Sequence, residues 1–345
     1  MKLRTLSAML VIGLMPLPVW PASRQPSPQQ AATDAASARP RESPASAGAD
    51  YTVKVDSTLV NVEVLVTDED GRVLSGLKKG NFRILDNGTP REILNFSPTA
   101  EPITIVLLLE HSALAYSYFA SKAAWWGNSF LDHLEPRDYV ALVTYDIRPK
   151  VLVDFTRMKG EVREKLSTLG PGQFHESNLF GAMDDTLDKL ERVRGKKAIL
   201  LMSTGMNTFS GSTLDDVLNH LKRSDVKVFC LGLAEQEYVR SGGSGGNYLV
   251  GKAWLNSFAE ITGGIATYPR FEGELPDVFR SVVGFLRNEY SLSFRPPKAS
   301  RDGKYHRLKV EIVGPDGKPL KVTNERGKRR KVVVYARQGY TAPRE

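Results

Sequence analysis

Hydrophobic and polar residues alternate in two parts of the chain, residues 51–100 and residues 288–340. In STLVNVEVLVTD, every second residue from Val60 to Val66 is a valine, and this period of two predicts a strand with one buried face. NFRILDNGTPREILNF predicts a strand pair, because Asn87-Gly88 at its centre is a strong hairpin signal. Further strands are predicted in EYSLSFRP, YHRLKVEIVG and KVVVYARQGY.

Residues 101–287 show a different pattern, in which continuous apolar runs alternate with helical ones. The runs ITIVLLL, YVALVTYD, KAILLMS and VKVFCLGL predict buried strands, and KVLVDF and GIATYP predict two shorter strands. Apolar residues between the runs recur every three to four positions, which indicates helices with one buried face. The three stripes are Phe119, Ala123, Trp126, Phe130 and Leu134; Leu179, Met183, Leu187 and Leu190; and Leu214, Val217, Leu218 and Leu221. This alternation predicts a doubly wound, mostly parallel α/β sheet that is covered on both faces.

The two β parts lie on either side of the α/β part. The economical arrangement is a single β-sandwich-like domain built from both flanks, with the α/β domain inserted between them. Two separate small β units are the alternative, although each would hold little core.

The first 50 residues lack both patterns. MKLRTL carries two positive charges, and an apolar stretch of about fifteen residues follows. The stretch is shorter than a membrane-spanning helix, so it predicts a secretory signal peptide over residues 1–22. An uncleaved N-terminal anchor is the alternative, and it would be the only contact with a membrane. Residues 23–50 are rich in Ala, Ser, Pro and Gln and predict a disordered linker. We therefore expect a secreted or periplasmic protein.

Net charge and cysteine content change this picture little. Part of the formal charge of +8 comes from one basic cluster, Arg326 and 328–331, beside a Gly turn and the strand VVVYA. We interpret it as a solvated hairpin end and expect no nucleic-acid partner. The single cysteine, Cys230, lies in an apolar run and is expected to be a buried small hydrophobe.

No arrangement typical of an enzyme is evident. Gly242–Gly246 formally matches G-x-S-x-G, but its composition is that of a loop, whereas a nucleophile elbow joins a strand directly to a helix. The pairs Asp184/Asp185 and Asp215/Asp216 lie in helical patterns, where they are interpreted as solvated or first-turn charges. We expect a protein without enzymatic activity and identify no small-molecule substrate. A hydrolase is kept as an alternative.

Several stretches of the α/β part resemble a von Willebrand factor A domain when taken in order. They are LDHLEPRDYVALVTYD, SNLFGAMDDTL, GKKAILLMSTGMNT and FAEITGGIATY, within residues 101–287. The flanks VNVEVLVTDEDGRVLSGLKKGNFRILDNG, EYSLSFRP and VYARQGY extend the resemblance over residues 51–340, to bacterial secreted proteins with a von Willebrand factor A-related domain. The resemblance implies a Rossmann-like sheet and a role in adhesion or protein binding, with an unidentified protein partner.

The resemblance also implies a metal-ion-dependent adhesion site. The family's pattern is Asp-x-Ser-x-Ser after the first strand, a Thr on a second loop and an Asp after the fourth strand. The pattern falls here on Glu110, Ser112, Leu114, Ser177 and Thr204. Glu110, Ser112 and Ser177 are the candidate ligands of Mg²⁺ or another divalent cation. Leu114 supplies no oxygen and Thr204 carries no formal charge, so we expect a degenerate site.

Two alternatives are kept, one for the metal site and one for the function. His111 and His175, with Glu110 and Glu176, are a candidate set of ligands for a transition metal. In the alternative function, the protein has a structural or assembly role in the cell envelope that needs no metal.

Overall fold

The computed structural model describes residues 59–98, 101–113, 115, 122–233, 246–323, 327–342 and 344. The predicted signal peptide and linker lie outside the described residues. So do Leu114, Phe119, Arg326 and the GGSGG stretch up to residue 245.

Strands and helices are numbered in chain order within the described residues. The strands are β1 (Val60–Asp68), β2 (Phe82–Asp86), β3 (Thr89–Arg91), β4 (Asn95–Pro98), β5 (Ile103–Glu110), β6 (Tyr139–Tyr145), β7 (Pro149–Thr156), β8 (Lys196–Ser203), β9 (Lys227–Gly232), β10 (Ala266–Thr267), β11 (Tyr290–Phe294), β12 (Tyr305–Ile312), β13 (Val322–Thr323), β14 (Arg329–Arg330), β15 (Val332–Tyr335) and β16 (Gly339–Thr341). The α-helices are α1 (Ala123–Leu131), α2 (Lys159–Ser167), α3 (Leu179–Glu191), α4 (Leu214–Arg223), α5 (Gly246–Thr262) and α6 (Leu275–Arg287).

A six-stranded sheet forms the centre of the α/β part, in the order β10-β9-β8-β5-β6-β7. Its neighbouring strands are parallel except for β7, which runs antiparallel to β6. Every residue of β5, β8 and β9 is buried, as expected for apolar strands covered on both faces. The prediction of a doubly wound, mostly parallel sheet is confirmed.

Helices cover both faces of this sheet. One face packs against α1, α2 and α6, where Trp126 and Phe130 of α1 contact Phe279 of α6. The other face packs against α3, α4 and α5. Cys230 of β9 is buried in this second core, and burial raises the pKa of its thiol.

Strands from both flanks share two antiparallel sheets. One sheet has the order β15-β1-β11-β4, and the other has the order β16-β12-β2-β3. The alternating valines of β1 are buried between the sheets together with apolar residues of β2, β11 and β12. In the hairpin between β2 and β3, Asn87 and Gly88 have φ values of 47° and 81°, the left-handed backbone that this tight turn requires. These sheets form the sandwich that flanks the α/β part.

The basic cluster lies partly in a small hairpin of β13 and β14. Arg330 pairs there with Glu69 and Asp70, next to the end of β1. Among the helices of the described residues, none combines the length and the apolar character needed to cross a membrane.

Candidate functional site

The residues of the predicted metal site lie at the carboxyl edge of the six-stranded sheet. Glu110 is the last residue of β5, and Ser203 is the last residue of β8, the parallel neighbour of β5. Because parallel strands end at the same edge, the loops that follow them converge, as in other doubly wound sheets that bind ligands there. We call this edge with its loops the loop face.

A buried carboxylate organises the loop face. Glu110 is 1% exposed. Its Oε1 accepts a hydrogen bond from Ser112 Oγ at 2.9 Å. Its Oε2 accepts three, from Ser203 Oγ at 2.9 Å and from the backbone N–H and Oγ1 of Thr204 at 2.7 and 2.8 Å. The side chain of Glu, one methylene longer than that of Asp, thus joins the end of β5 to the end of β8.

The hydroxyls that hold this carboxylate accept hydrogen bonds in turn. Ser203 Oγ accepts from the Tyr145 hydroxyl at 2.8 Å and from the Gly205 backbone N–H at 2.9 Å. Ser112 Oγ accepts from the Ala115 backbone N–H at 3.2 Å. Each hydroxyl is therefore both donor and acceptor, and its orientation is fixed by the surrounding backbone.

Burial dominates the electrostatics of this network. It raises the pKa of Glu110, while the hydrogen bonds from Thr204, Ser112 and Ser203 act in the opposite direction. Burial and the nearby charge of Glu110 also raise the pKa of Tyr145, so this phenol remains protonated and donates to Ser203. The negative charge of Glu110 is thus stabilised by neutral hydrogen-bond donors.

Ser177, the third predicted ligand, is buried but does not join the carboxylate network. Its backbone N–H donates to Thr208 Oγ1 at 2.9 Å, and its carbonyl accepts from the backbone N–H groups of Thr208 and Phe209. Its own Oγ makes no hydrogen bond within the described residues, although the hydroxyl is close enough to Tyr145 to lower the pKa of that phenol. The backbone of Ser177 ties the loop before α3 to the loop after β8.

The histidines of the alternative metal set do not converge with its glutamates. His111 Nε2 lies 2.6 Å from the carbonyl oxygen of Gly170, and His175 is exposed. Among the described residues, three or more potential ligand atoms come together only at Asp188, Glu191 and His220, which belong to α3 and α4. This cluster was not predicted from the sequence.

The observed donor set does not fit Mg²⁺. That ion takes six ligands, mostly oxygens, in near-ideal octahedral geometry at about 2.0–2.1 Å. Here Glu110 Oε2 already accepts three hydrogen bonds, and Thr204 donates to it where the family pattern has a second carboxylate. Ser177 Oγ and the remaining lone pair of Glu110 Oε1 fall far short of such a ligand set. Leu114 lies outside the described residues.

Four large apolar side chains are exposed on segments that border the loop face. These are Phe174, Phe209, Leu249 and Val250, which are 41–55% exposed and which we call the apolar rim. The carbonyl of Phe174 accepts from the Ala113 backbone N–H. A signal was present in the sequence, since a phenylalanine interrupts each of the polar loops GPGQFHESN and MNTFSGS.

The N-terminal part of α5 reaches the loop after β8 through a glycine contact. A side chain at Gly205 would meet the backbone of Gly251 at 2.7 Å. Leu249 and Val250 immediately precede Gly251, so this contact holds them beside the loop that carries Thr204. The apolar rim therefore surrounds loops that are fixed by backbone contacts.

Residues 105–261 match the family model described as von Willebrand factor type A domain. A search of curated proteins gave no match.

Several solved structures are similar to the chain. A conserved hypothetical protein, BatB, from Bacteroides thetaiotaomicron is 13% identical, with a TM-score of 0.42, and the alignment covers 53% of this chain and 98% of that one. The vWF domain of the type V pili tip protein Mfa5 from Porphyromonas gingivalis is 12% identical, with a TM-score of 0.40 and coverages of 54% and 95%. A von Willebrand factor type A protein from Catenulispora acidiphila is 9% identical, with a TM-score of 0.43 and coverages of 84% and 75%.

Proposed function

Because residues 105–261 form a von Willebrand factor type A domain, we propose that the protein binds another protein through its loop face without a metal ion. The observation that carries this proposal is the closed hydrogen-bond network of Glu110. It occupies the positions where the family pattern places metal ligands, and it holds the loops together with neutral donors.

The apolar rim supplies a surface that suits a protein partner. Exposed aromatic and aliphatic side chains on a rigid support are typical of the centre of protein interfaces. Phe174 and Phe209 lie on loops joined by the hydrogen bonds of Ser177, so little ordering is needed when a partner binds. The partner we propose has an apolar patch at its contact surface and needs no carboxylate to complete a metal site.

The N-terminal sequence supports a place outside the cytoplasm. Residues 1–22 have the composition of a secretory signal, and residues 23–50 that of a linker. We propose a secreted or periplasmic adhesion or interaction protein, in which the linker lets the folded part extend from the envelope.

The test is a binding comparison carried out in EDTA. Wild type, Phe174→Ser/Phe209→Ser and the control Met158→Ser are used to capture proteins from the source organism's envelope and secreted fractions. Met158 is 63% exposed and follows β7, which runs opposite to its neighbour and so ends at the other edge of the sheet. A captured candidate is then purified and its Kd is measured with each variant.

The proposal requires at least tenfold weaker binding by the double variant and unchanged binding by Met158→Ser. Equal binding by all three proteins would show that the apolar rim is not the interface. Binding that is lost in EDTA and restored by Mg²⁺ would show that the site depends on metal after all.

A further inference from the structure

A histidine and three carboxylates meet between α3 and α4, outside the loop face. Asp184, Asp188 and Glu191 are spaced at i, i+4 and i+7 on α3, so they lie along one side of that helix. His220 of α4 packs against this side, and its side chain is 10% exposed. The packing of the two helices thus places one buried imidazole beside a row of carboxylates.

Both ring nitrogens of His220 face carboxylate oxygens. Nδ1 lies 3.3 Å from Asp184 Oδ1. Nε2 lies 3.7 Å from Asp188 Oδ1 and 3.3 Å from Glu191 Oε1. The candidate ligand atoms of His220, Asp188 and Glu191 all lie within 4.8 Å of one another.

We propose that His220 Nε2 and the carboxylates of Asp188 and Glu191 bind a Zn²⁺ ion. Zinc binds nitrogen and oxygen at about 2.0–2.2 Å, so neighbouring ligand atoms of a tetrahedral site are about 3.3 Å apart. The two distances from Nε2 are close to this value. An imidazole ligand favours zinc over Mg²⁺ or Ca²⁺, which prefer oxygen ligands.

Asp184 acts as a positioning residue for the imidazole. An Nδ1–H that donates to Asp184 leaves the lone pair of Nε2 directed toward Asp188 and Glu191. Histidines that bind zinc commonly donate their second N–H to a carboxylate in this way. This pairing sets the cluster apart from a simple group of surface acids.

The charge balance of α3 also favours a cation. Asp184, Asp188 and Glu191 face one imidazole. The pKa of the adjacent Asp185 is raised by burial and by the charges of Asp188 and Asp184, against the opposing effect of Lys189. A divalent ion offsets this accumulation of negative charge. Asp188 and Glu191 are 71% and 62% exposed, so water completes the coordination and the ion enters directly from solvent.

The site is separate from the proposed protein-binding surface. α3 begins beside the loop face at Leu179 and ends at Glu191, shortly before β8 begins at the opposite edge of the sheet. Loss of zinc binding would therefore leave binding through the loop face unaffected.

The test is a zinc titration of the full chain without an affinity tag, since a polyhistidine tag would itself bind zinc. The chelated protein competes with a chromophoric chelator for Zn²⁺. Wild type is expected to take up one equivalent, and Asp188→Asn/Glu191→Gln, altered at two exposed residues, is expected to lose it. Asp184→Asn should weaken binding about 10–100-fold. Asp185→Asn removes a charge from the same helix without removing a ligand, and it should weaken binding far less than the double variant does.

Two results would overturn the proposal. One is the absence of saturable uptake by wild type, which would leave the cluster as an ion-paired contact between helices. The other is equal affinity in the double variant and in Asp185→Asn, which would place any bound zinc elsewhere. Circular dichroism of each variant establishes that loss of binding is not loss of fold.

Discussion

Thr204 donates both its backbone N–H and its hydroxyl to one oxygen of Glu110, at 2.7 and 2.8 Å. In the family pattern this position is an Asp that belongs to a metal site. A Thr here can instead satisfy a buried carboxylate directly, because it supplies donors where a second carboxylate would repel. Glu110 and Thr204, which each replace an Asp of the family pattern, therefore complement each other as hydrogen-bond acceptor and donor.

Removing the Thr204 hydroxyl tests this pairing. Thr204→Val keeps the shape and the backbone N–H but leaves Glu110 with one donor fewer. Hydrogen bonds to charged groups contribute about 1.5–3 kcal/mol, and we expect a loss of this size in the free energy of unfolding, measured in urea. Ser177→Ala is the matched control, because it removes a buried hydroxyl that lies near Tyr145 but makes no hydrogen bond to Glu110. A control as destabilised as Thr204→Val would contradict the assignment.

The raised pKa of Glu110 predicts a pH dependence of stability. The folded-state pKa lies above the ordinary value of 4.5, so the folded protein binds the proton more tightly than the unfolded chain. This carboxyl therefore stabilises the fold most when it is protonated, and its contribution falls as pH rises from about 4.5 through the folded-state pKa. In Glu110→Gln this component is absent. Urea unfolding of both proteins between pH 4 and 7 should show that their difference in stability varies with pH, and a constant difference would refute the prediction.

Addition of metal ions distinguishes the proposed metal-free loop face from an intact metal-ion-dependent adhesion site. After chelation, Mg²⁺ or Mn²⁺ should not change Tm through the loop face. A bound ion would stabilise the fold by about 2.7 kcal/mol at one hundred times its Kd. A rise in Tm that disappears in Glu110→Ala, with that variant still folded, would show that Glu110 is a metal ligand.

A close contact of Gly172 fixes the loop before α3. A side chain at this position would lie 2.2 Å from the His111 carbonyl oxygen and 2.7 Å from the Ser112 carbonyl carbon. Backbone atoms cannot yield as flexible side chains do, so Gly172→Ala should lower Tm by several degrees and weaken partner binding. Gly170→Ala, which has nothing within 4 Å of its added carbon, should leave both unchanged.

A buried ion cluster connects the central sheet to the sandwich. Glu289, 1% exposed, directly precedes β11 and pairs with Lys227 of β9 and with Lys196 of β8 at 3.2 Å. Glu289→Gln removes the carboxylate that pairs directly with both buried lysines, and we expect a loss of about 3–5 kcal/mol in the free energy of unfolding. The exposed pair of Asp277 and Arg280 is the control, since such pairs contribute about 0–1 kcal/mol. Similar effects of Glu289→Gln and Asp277→Asn would contradict the role of burial.

The sequence predicted the sheets well because their signals are local. Continuous apolar runs marked the buried strands, and Asn87-Gly88 marked a hairpin whose positive φ values the structure shows. The hydrogen-bond network of Glu110 could not be predicted from the sequence. Ser203 lies outside the family pattern, and Tyr145 is recognisable in the sequence only as part of an apolar strand. The cluster at His220 could not be predicted either. Helical periodicity shows which side of α4 is buried, but it does not show which carboxylates of α3 pack against that side.

The pairing of β4 with β11 has a consequence for the order of folding. Pro98, where the chain leaves the sandwich, lies opposite Tyr290, where it returns. Val60 pairs with Phe294 in the same sheet, so β1 has no partner from β11 until nearly the whole chain has been made. Once the inserted α/β domain has folded, its two ends lie close together. Strands β1 and β11 are then separated by a much shorter flexible loop, so the entropic cost of pairing them is lower. During folding, the central domain would therefore act as the template on which the sandwich assembles last.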